Sequence, residues 1–333
     1  MKKIIILISL LVSNHLSYGQ NDGLDWERIE IQPDGRIDAI AYFGNGVVIA
    51  GTRKPNPGFV YKSNNFGKTW EKISNVTGDD YITCIASSED GIGYLLTGVN
   101  VHIWKTTDYG DTWKDMGQIA QSQNTEGFAN AYSLLITEKG TLLASTANSS
   151  GGHILRSEDG GATWSDVGKI SPRALYRLNK VGDGVIVNGW GNHIYKSYDD
   201  GLTWHDKGKL MDSDLYAIEY LGNGIALIAT KSGHVFRSAD NGETWNNLGL
   251  VDDGNAADDF AYMGGAKILY STYTGSRKNY ISSDGGLTWT NVGTVDTGKK
   301  RDWLDHVIYI SDQDKRLIVG GTNKGYILRF AVK

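Results

Sequence analysis

The chain has 333 residues, of which 40% are apolar and 21% are charged, and its formal net charge is −5. This apolar share is sufficient for a folded core and excludes an intrinsically disordered chain. The acidic balance, and the lack of interleaved basic and aromatic residues on any one strand, argue against a nucleic-acid-binding protein.

The first residues are typical of a secretory signal peptide. Two lysines precede the apolar run 4–12, which is too short to span a bilayer. Small residues up to Gly19 predict cleavage before Gln20. We therefore expect residues 1–19 to be removed, and residues 20–333 to form a single domain that is exported to the periplasm or the cell exterior without membrane insertion.

A short motif of the form Ser-x-Asp-x-Gly-x-Thr-Trp recurs along the rest of the chain. The Asp side chain accepts hydrogen bonds from backbone amides of its own turn, and Gly adopts positive φ at little cost, so each motif predicts a tight hairpin. The Thr-Trp pair then favours the start of a strand. A spacing of roughly 40 to 50 residues indicates a repeat protein. The copies occupy residues 63–70, 106–113, 157–164, 197–204, 238–245 and 282–289.

Each repeat predicts four short strands, which we name A to D from the centre outward. In the fifth repeat, A covers residues 215–221, B covers 225–230, C covers 234–238, and D begins at 244. Alternating apolar and polar residues between regularly spaced turn signals support this all-β interpretation.

The two ends of the chain complement each other. Residues 25–29 predict an isolated D strand, whereas 307–310, 317–321 and 326–330 predict A, B and C strands without a D strand. Joining them completes a further blade and removes open sheet edges. We therefore predict an all-β, seven-bladed β-propeller with four antiparallel strands per blade, whose last blade is closed by the N-terminal strand. A six-bladed ring with loose ends is the alternative.

The six motif copies resemble the Asp-box, or BNR, repeat of sialidase-like and photosystem-assembly-factor-like propellers. This resemblance implies a fold rather than an activity, and it implies that the motifs lie on the face away from the active site. The chain departs from a classical sialidase because Arg36 and Ile37 are followed by Asp38 instead of Pro, and no convincing arginine triad is present. The catalytic residues of sialidases are therefore not transferred to this chain.

Candidate ligand-binding residues lie in the D-to-A and B-to-C loops, which the strand order places on the opposite face, called the top face below. Arginine side chains there favour an anionic ligand, since a guanidinium binds carboxylate or sulfate through two hydrogen bonds. Aromatic side chains there favour stacking against sugar rings. The predicted substrate-binding residues are Arg36, Arg277, Arg301, Trp190 and Trp303.

The predicted catalytic residues are His306, Tyr273 and Arg173. Some propellers that this chain resembles in architecture are lyases of uronate-containing polysaccharides, and β-elimination needs a neutralised carboxylate, a base and an acid. His306 and Tyr273 would supply the base and the acid. The carboxylate would be neutralised by Arg173, Arg277 or Arg301. Packing between blades is the alternative role of His306, because counting back from the A-to-B turns aligns it with Tyr132, Tyr176 and Tyr216.

The expected function is that of an exported carbohydrate-active enzyme. Its substrate would be an anionic, uronate- or sulfate-bearing oligo- or polysaccharide, cleaved or dehydrated by elimination. A non-catalytic scaffold or a glycan- or protein-binding module is the second possibility. A glycoside hydrolase is the third, with carboxylates drawn from Asp80, Glu126, Asp214 and Asp259. We expect a monomer without cofactor or metal, and a buried structural role for the single cysteine, Cys84.

Overall fold

The structure is a computed structural model, and its described residues are 24–31, 35–54, 57–73, 80–98, 101–119, 130–148, 150–189, 192–251, 255–275, 277–295, 297–312 and 314–332. The predicted signal peptide, residues 1–19, lies outside them. Within these ranges the chain forms 28 β-strands and no helix. Accordingly, no helix in the described part of the chain is long and apolar enough to cross a membrane.

The strands form seven antiparallel sheets of four strands each, and each sheet is one propeller blade. The N-terminal strand is β1 (Glu27–Glu30). Blades 1 to 3 contain β2 (Arg36–Gly44), β3 (Val47–Lys54), β4 (Val60–Ser63), β5 (Glu71–Ile73); β6 (Ile82–Ser87), β7 (Gly93–Thr97), β8 (His102–Thr106), β9 (Lys114–Gln118); β10 (Asn130–Ile136), β11 (Leu142–Asn148), β12 (Gly151–Ser157) and β13 (Ser165–Ser171). Blades 4 and 5 contain β14 (Leu175–Val181), β15 (Gly184–Gly189), β16 (His193–Ser197), β17 (His205–Lys209); β18 (Leu215–Gly222), β19 (Ile225–Thr230), β20 (His234–Ser238) and β21 (Asn246–Leu250). Blades 6 and 7 contain β22 (Ala257–Tyr262), β23 (Ile268–Thr272), β24 (Lys278–Ser282), β25 (Thr290–Thr294); β26 (Leu304–Asp312), β27 (Lys315–Thr322) and β28 (Tyr326–Ala331).

The seventh blade confirms the predicted closure of the ring. Its strand order is β1-β28-β27-β26, so the N-terminal strand forms the outer edge of a blade whose other strands come from the C-terminus. Glu27 pairs with Arg329, and Glu30 pairs with Tyr326. The predicted six-bladed alternative is therefore wrong.

The recurrent motif forms the turn between strands C and D through its own side chains. In blade 5, the Ser238 hydroxyl donates to Asp240 Oδ1 at 2.7 Å and accepts the Gly242 amide at 2.8 Å. The Asp240 carboxylate accepts the Thr244 amide at 2.9 Å and the Thr244 hydroxyl at 2.5 Å. The Trp245 indole N–H donates to the Gly242 carbonyl at 3.2 Å. These contacts span at most four positions, so the turn is specified locally.

Basic side chains at the end of strand C join each motif to the preceding blade. The residue just before the motif's Ser or Thr donates to the carbonyl of the fourth motif residue in the next blade. We call these contacts interblade latches; they are Lys105 to Gly160 (3.4 Å), Arg156 to Asp200 (3.0 Å), Lys196 to Asn241 (2.8 Å), Arg237 to Gly285 (3.1 Å) and Arg329 to Phe66 (2.9 Å). The accepting residues all have φ between 58° and 73°, a conformation that turns the carbonyl out of its own hairpin.

The exceptions to this pattern follow the distribution of the motifs. Lys62 of blade 1 bonds the Asp111 carboxylate of the next motif. Blade 6 has the apolar Ile281 at the same position, and blade 7 carries no motif to receive a latch. The contact from Arg329 to Phe66 joins the last blade to the first, so it closes the ring together with β1.

Apolar residues of strands A and B fill the space between neighbouring blades. Blades 1 and 7 share one such cluster, in which Ile37 and Ile40 pack with Ile310, Leu317 and Val319. All of these side chains are at most 2% exposed. The core is therefore a ring of interblade layers, and the innermost strands leave a cavity along the axis.

Candidate functional site

The innermost strand of every blade carries a β-bulge near the top of the axis. In blade 4, for example, Leu175 pairs with Gly189 and Arg177 with Asn188, so Tyr176 has no partner. A bulge turns one side chain away from the regular alternation of the strand. The bulged residues are Asp38, Thr83, Tyr132, Tyr176, Tyr216, Asp258 with Asp259, and Asp305.

Seven of these bulged side chains, one from each blade, line a single cavity of about 410 Å³, which we call the upper chamber. Only Asp259 points elsewhere. Arg36, Arg53, Arg177, Tyr273 and Trp303 complete the walls. The bulges thus convert a sevenfold structural repeat into a chamber whose chemistry differs from blade to blade.

One half of the upper chamber is aromatic. Ring centroids lie 5.2 Å apart between Tyr132 and Tyr176, 5.6 Å between Tyr176 and Tyr216, 5.9 Å between Tyr216 and Tyr273, and 6.0 Å between Tyr273 and Trp303. Burial and the neighbouring Tyr216 raise the pKa values of Tyr176 and Tyr273 above the ordinary range of a phenol. These tyrosines are therefore hydrogen-bond donors at neutral pH and offer ring surface to a ligand.

The other half of the upper chamber is charged. Arg36 binds Asp305 through Nε at 2.5 Å and Nη2 at 3.0 Å, and its Nε lies 2.6 Å from Asp38 Oδ1. Arg53 donates to Asp38 Oδ2 at 3.3 Å. Burial and the charge of Asp305 raise the pKa of Asp38 to about 6, although Arg36 and Arg53 oppose the shift. The charges of Asp305 and Asp38 raise the pKa of Arg36 despite its burial.

Arg177 differs from the other two arginines of this chamber. It lies on β14 and lines both the upper chamber and the cavity below it. Its guanidinium makes no hydrogen bond and no ion pair within 4.0 Å with any residue that the structure describes. Arg177 is thus the guanidinium best placed to bind an anionic group of a ligand.

A second cavity of about 340 Å³, the lower chamber, continues along the axis. In its wall, His306 Nδ1 lies 3.0 Å from Asp259 Oδ2. That carboxylate also accepts the backbone amides of Val307 at 3.2 Å and Phe260 at 3.0 Å. Burial raises the pKa of Asp259, but the charges of His306 and Arg177 outweigh it, so the pKa lies below the usual range. Asp259 therefore remains ionised beside the imidazole, within ion-pair distance of Nδ1 but without the angle of a hydrogen bond.

Glu219 and Cys84 are among the other ionisable residues that line the lower chamber. Burial and the charge of Asp259 raise the pKa of Glu219 to about 8. Burial raises the pKa of the Cys84 thiol to about 12. Cys84 is partly buried and lines this chamber, whereas the sequence predicted a buried structural role. The strand alternation is interrupted by the bulge at Thr83, which turns Cys84 toward the axis.

The structure brings together part of the predicted site. Arg36, Tyr273 and Trp303 line the upper chamber, and His306 lines the lower chamber. The guanidinium of Arg277 lies 5.9 Å from the centroid of the Trp303 ring. Trp190 lies outside the described residues.

Two predicted arginines lie elsewhere. Arg173 is exposed and lines a separate cavity of about 780 Å³ beside blade 4, which also contains Asp214. It precedes β14 by two residues, in the loop that connects the outer strand β13 to the innermost strand β14. Arg301 is exposed in a turn with φ of 59°, and its carbonyl accepts a hydrogen bond from Asn323 at 3.2 Å. Neither side chain lines the axial chambers.

The predicted alignment of His306 is wrong by one residue. The bulged residue of blade 7 is Asp305, so Asp305 is the counterpart of Tyr176, whereas His306 corresponds to Arg177. Counting back from the turn failed because the hairpins differ in length: in blade 7 the pairing continues for seven residues beyond the bulge to Asp312, but in blade 4 for only five.

Sequence reasoning missed Asp38, Arg177, Glu219 and Asp258 as site residues. All four are charged residues within innermost strands that are otherwise mainly apolar. A charged residue in such a strand is costly unless it faces a polar cavity, and this signal could have identified them.

No family model and no curated protein matches the chain. Among solved structures, YCF48 bound to a D1 peptide has a TM-score of 0.73 and 17% identity, and covers 96% of this chain and 100% of its own. A catalytically inactive virginiamycin B lyase from Staphylococcus aureus with quinupristin has a TM-score of 0.75 and 13% identity, covering 92% and 99%. A GH74 enzyme of Niastella koreensis has a TM-score of 0.69 and 16% identity, covering 91% of this chain and 53% of its own.

These similarities define the class of protein. At such identities they show the fold alone, and the chain is a seven-bladed β-propeller with a two-chamber cavity on its axis. Similar folds carry a lyase, a glycoside hydrolase family enzyme and a peptide-bound protein, so function must be argued from the chambers.

Proposed function

We propose that the protein is a lyase that acts by β-elimination on a uronate-containing saccharide bound in the axial chambers. The observation that carries this proposal is the His306–Asp259 pair, with 3.0 Å between Nδ1 and Oδ2, in the same cavity as the unpaired Arg177. An imidazole next to a carboxylate, together with a guanidinium that forms no ion pair within 4.0 Å, combines a base with a group that neutralises a carboxylate.

Arg177 takes the role that the sequence assigned to Arg173. A carboxylate bound to a guanidinium withdraws electrons from the neighbouring carbon, and this lowers the barrier to removing its proton. Arg36 and Arg53 are less suited because Asp305 and Asp38 already bind them. Arg177 has no such competitor among the described residues.

His306 is the proposed base. Its Nε2 lone pair takes the proton from the carbon next to the carboxylate, and the neighbouring Asp259 carboxylate stabilises the imidazolium that forms. The electron pair released forms a carbon–carbon double bond while the bond to the leaving oxygen breaks. Tyr273, in the upper chamber, is the proposed acid for that oxygen, because its phenol carries a proton at neutral pH. The proton leaves carbon and another reaches oxygen, so the step requires no oxidant, reductant or cofactor.

The aromatic half of the upper chamber supports a ring-shaped substrate. Sugar rings have an apolar face that stacks on tyrosine and tryptophan, while the opposite edge presents hydroxyl and carboxylate groups. Tyr216, Tyr273 and Trp303 offer stacking surface in the same chamber as Arg36 and Asp305, and the Trp303 indole donates to Asp305 at 3.2 Å where the aromatic and charged parts meet.

The proposal is tested by incubating the protein with uronate- and sulfate-bearing oligosaccharides and following the ultraviolet absorbance and mass of unsaturated products. We expect His306→Gln and Asp259→Asn to lower kcat by at least about 10²-fold, the usual contribution of a positioned base. His234→Gln, on the outer strand β20, is the matched control and should leave kcat unchanged. An absence of product from every oligosaccharide refutes the lyase proposal.

A non-catalytic binding module is the second candidate, and the continuous aromatic arc favours it because stacking requires no acid or base. The similarity to YCF48, whose structure contains a D1 peptide, makes an extended ligand reasonable to test. Binding of an oligosaccharide or peptide without turnover would support this candidate.

We further propose that the protein is exported and acts as a monomer without nucleic acid as a partner. Mass spectrometry of the mature protein should give an N-terminus at Gln20, and light scattering should give the mass of one chain.

A further inference from the structure

Asp258 differs from the other acidic side chains of the upper chamber. Asp305 is bound by Arg36 through two contacts, and Asp38 lies within ion-pair distance of Arg36 and Arg53. Asp258 also lines this chamber, but its Oδ2 is buried and has no hydrogen-bond partner among the described residues. Neither carboxyl oxygen of Asp258 is hydrogen-bonded to a described residue, and Oδ1, unlike the buried Oδ2, is open to a ligand in the chamber.

The fold places this carboxyl between the two halves of the chamber. Asp258 is the bulged residue of blade 6, so its neighbours around the ring are Tyr216 of blade 5 and Asp305 of blade 7. A buried carboxyl oxygen without a partner destabilises the free protein. A ligand hydroxyl that bonds Oδ1 gives this carboxyl its first hydrogen-bond partner and offsets part of this cost.

We propose that Asp258 hydrogen-bonds a hydroxyl group of the ligand in the upper chamber, and so makes the protein selective for polyhydroxylated rings. This inference rests on the proposed binding of a saccharide in the axial chambers. It adds a specificity residue that faces the upper chamber, whereas His306 and Asp259 line the lower chamber.

The charges around Asp258 favour a neutral hydroxyl over an ionic group. A ligand cation would meet Arg36 and Arg177, and a ligand anion would meet Asp305 and Asp259, all of which act electrostatically on Asp258. A hydroxyl avoids both repulsions and can donate and accept at once.

The ionisation of Asp258 agrees with this role. Burial and the charge of Asp305 raise its pKa well above the usual range, and Arg36 and Arg177 oppose the shift without reversing it. The facing phenol of Tyr273 has a raised pKa and remains protonated. A protonated carboxyl offers one donor and one acceptor, as does the amide of asparagine.

Two substitutions at this position test the proposal by calorimetric titration with galacturonate and glucuronate trisaccharides. Asp258→Asn keeps a donor and an acceptor, so we expect its dissociation constant to stay within about threefold of the wild-type value. Asp258→Leu removes both and should weaken binding by at least about tenfold. Because it also removes the unpartnered oxygen, Asp258→Leu should raise Tm in the absence of ligand.

Asp166→Asn is the control. Asp166 lies on the outer strand β13 next to His153, so this substitution should change neither ligand binding nor the contribution of the chamber to Tm. The proposal is overturned if Asp258→Leu binds as tightly as the wild type, if Asp258→Asn weakens binding as much as Asp258→Leu, or if the wild type binds neither trisaccharide. Wild-type binding without turnover, combined with weak binding by Asp258→Leu, refutes the lyase proposal and supports this one. If Asp258→Leu turns over the substrate with an unchanged KM, the lyase proposal is supported and the proposed role of Asp258 is refuted.

Discussion

Replacing Arg329 by methionine should weaken the closure of the propeller. Arg329 Nε donates to the Phe66 carbonyl of blade 1 at 2.9 Å, and its Nη1 lies 2.8 Å from Glu27 Oε2 on the N-terminal strand. One side chain thus joins the last blade to both the first blade and β1. Methionine keeps much of the aliphatic stem, so the substitution removes the polar contacts with little loss of packing.

The expected magnitude follows from the two contacts. A hydrogen bond from a charged donor contributes about 1.5–3 kcal/mol, and a partly exposed ion pair about 0.2–1 kcal/mol. The side chains of Arg329 and Glu27 are 13% and 30% exposed, so the lower ionic figure applies. We expect Arg329→Met to lower the free energy of unfolding by about 2–3 kcal/mol.

Urea unfolding followed by tryptophan fluorescence measures this change. Glu27→Gln removes only the ion pair and should lower the free energy of unfolding by less than about 1 kcal/mol. Arg237→Met removes a comparable latch within the ring, to Gly285 at 3.1 Å, and separates the effect of a latch from that of closure. If Arg329 closes the ring, Arg329→Met should speed proteolysis near β1, whereas Glu27→Gln and Arg237→Met should not. A loss of less than about 0.5 kcal/mol in Arg329→Met would refute the latch account.

Three further outcomes are expected. Hydrogen bonds from Thr288 hold the pKa of Asp284 at about 2, below its ordinary value of 3.8. The ionised Asp284 therefore stabilises the fold above pH 4, and this contribution is lost as the pH falls from about 4 to 2. Asp284→Asn should flatten the pH dependence of the urea midpoint in that window. Because burial raises the pKa of Cys84 to about 12, a thiol reagent at pH 8 should label the native protein at least about 10²-fold more slowly than the urea-unfolded protein, and equal rates would contradict its buried setting. Trp303→Leu removes the ring that lies 6.0 Å from Tyr273 and should weaken trisaccharide binding by about tenfold, measured by titration.

The fold was largely predictable because its signals are local. The side chains of Ser238, Asp240 and Thr244 form their hydrogen bonds within one turn, so the spacing of the motif alone fixed the blades and their order. The predicted C and B strands of the fifth blade, 234–238 and 225–230, coincide with β20 and β19. The unmatched strands at the two ends then required closure.

The site was less predictable because its residues are brought together only by the ring. Arg36 and Asp305 are 269 positions apart, and His306 and Asp259 belong to different blades. No local sequence pattern predicts the bulges that turn Asp38, Asp258 and Asp305 toward the axis. Loop position alone suggested Arg173 and Arg301, which lie outside the axial chambers.

The sequence by itself determined the repeat, the turn chemistry and the seven-bladed closure, because each depends on hydrogen bonds and side-chain alternation within a few residues. The tertiary structure decided which charged side chains meet on the axis, which of them neutralise one another, and which remain free for a ligand. These depend on one bulge per blade and on distances across the ring, so only the assembled blades show that Arg177 and Asp258 lack a bound partner in the chamber.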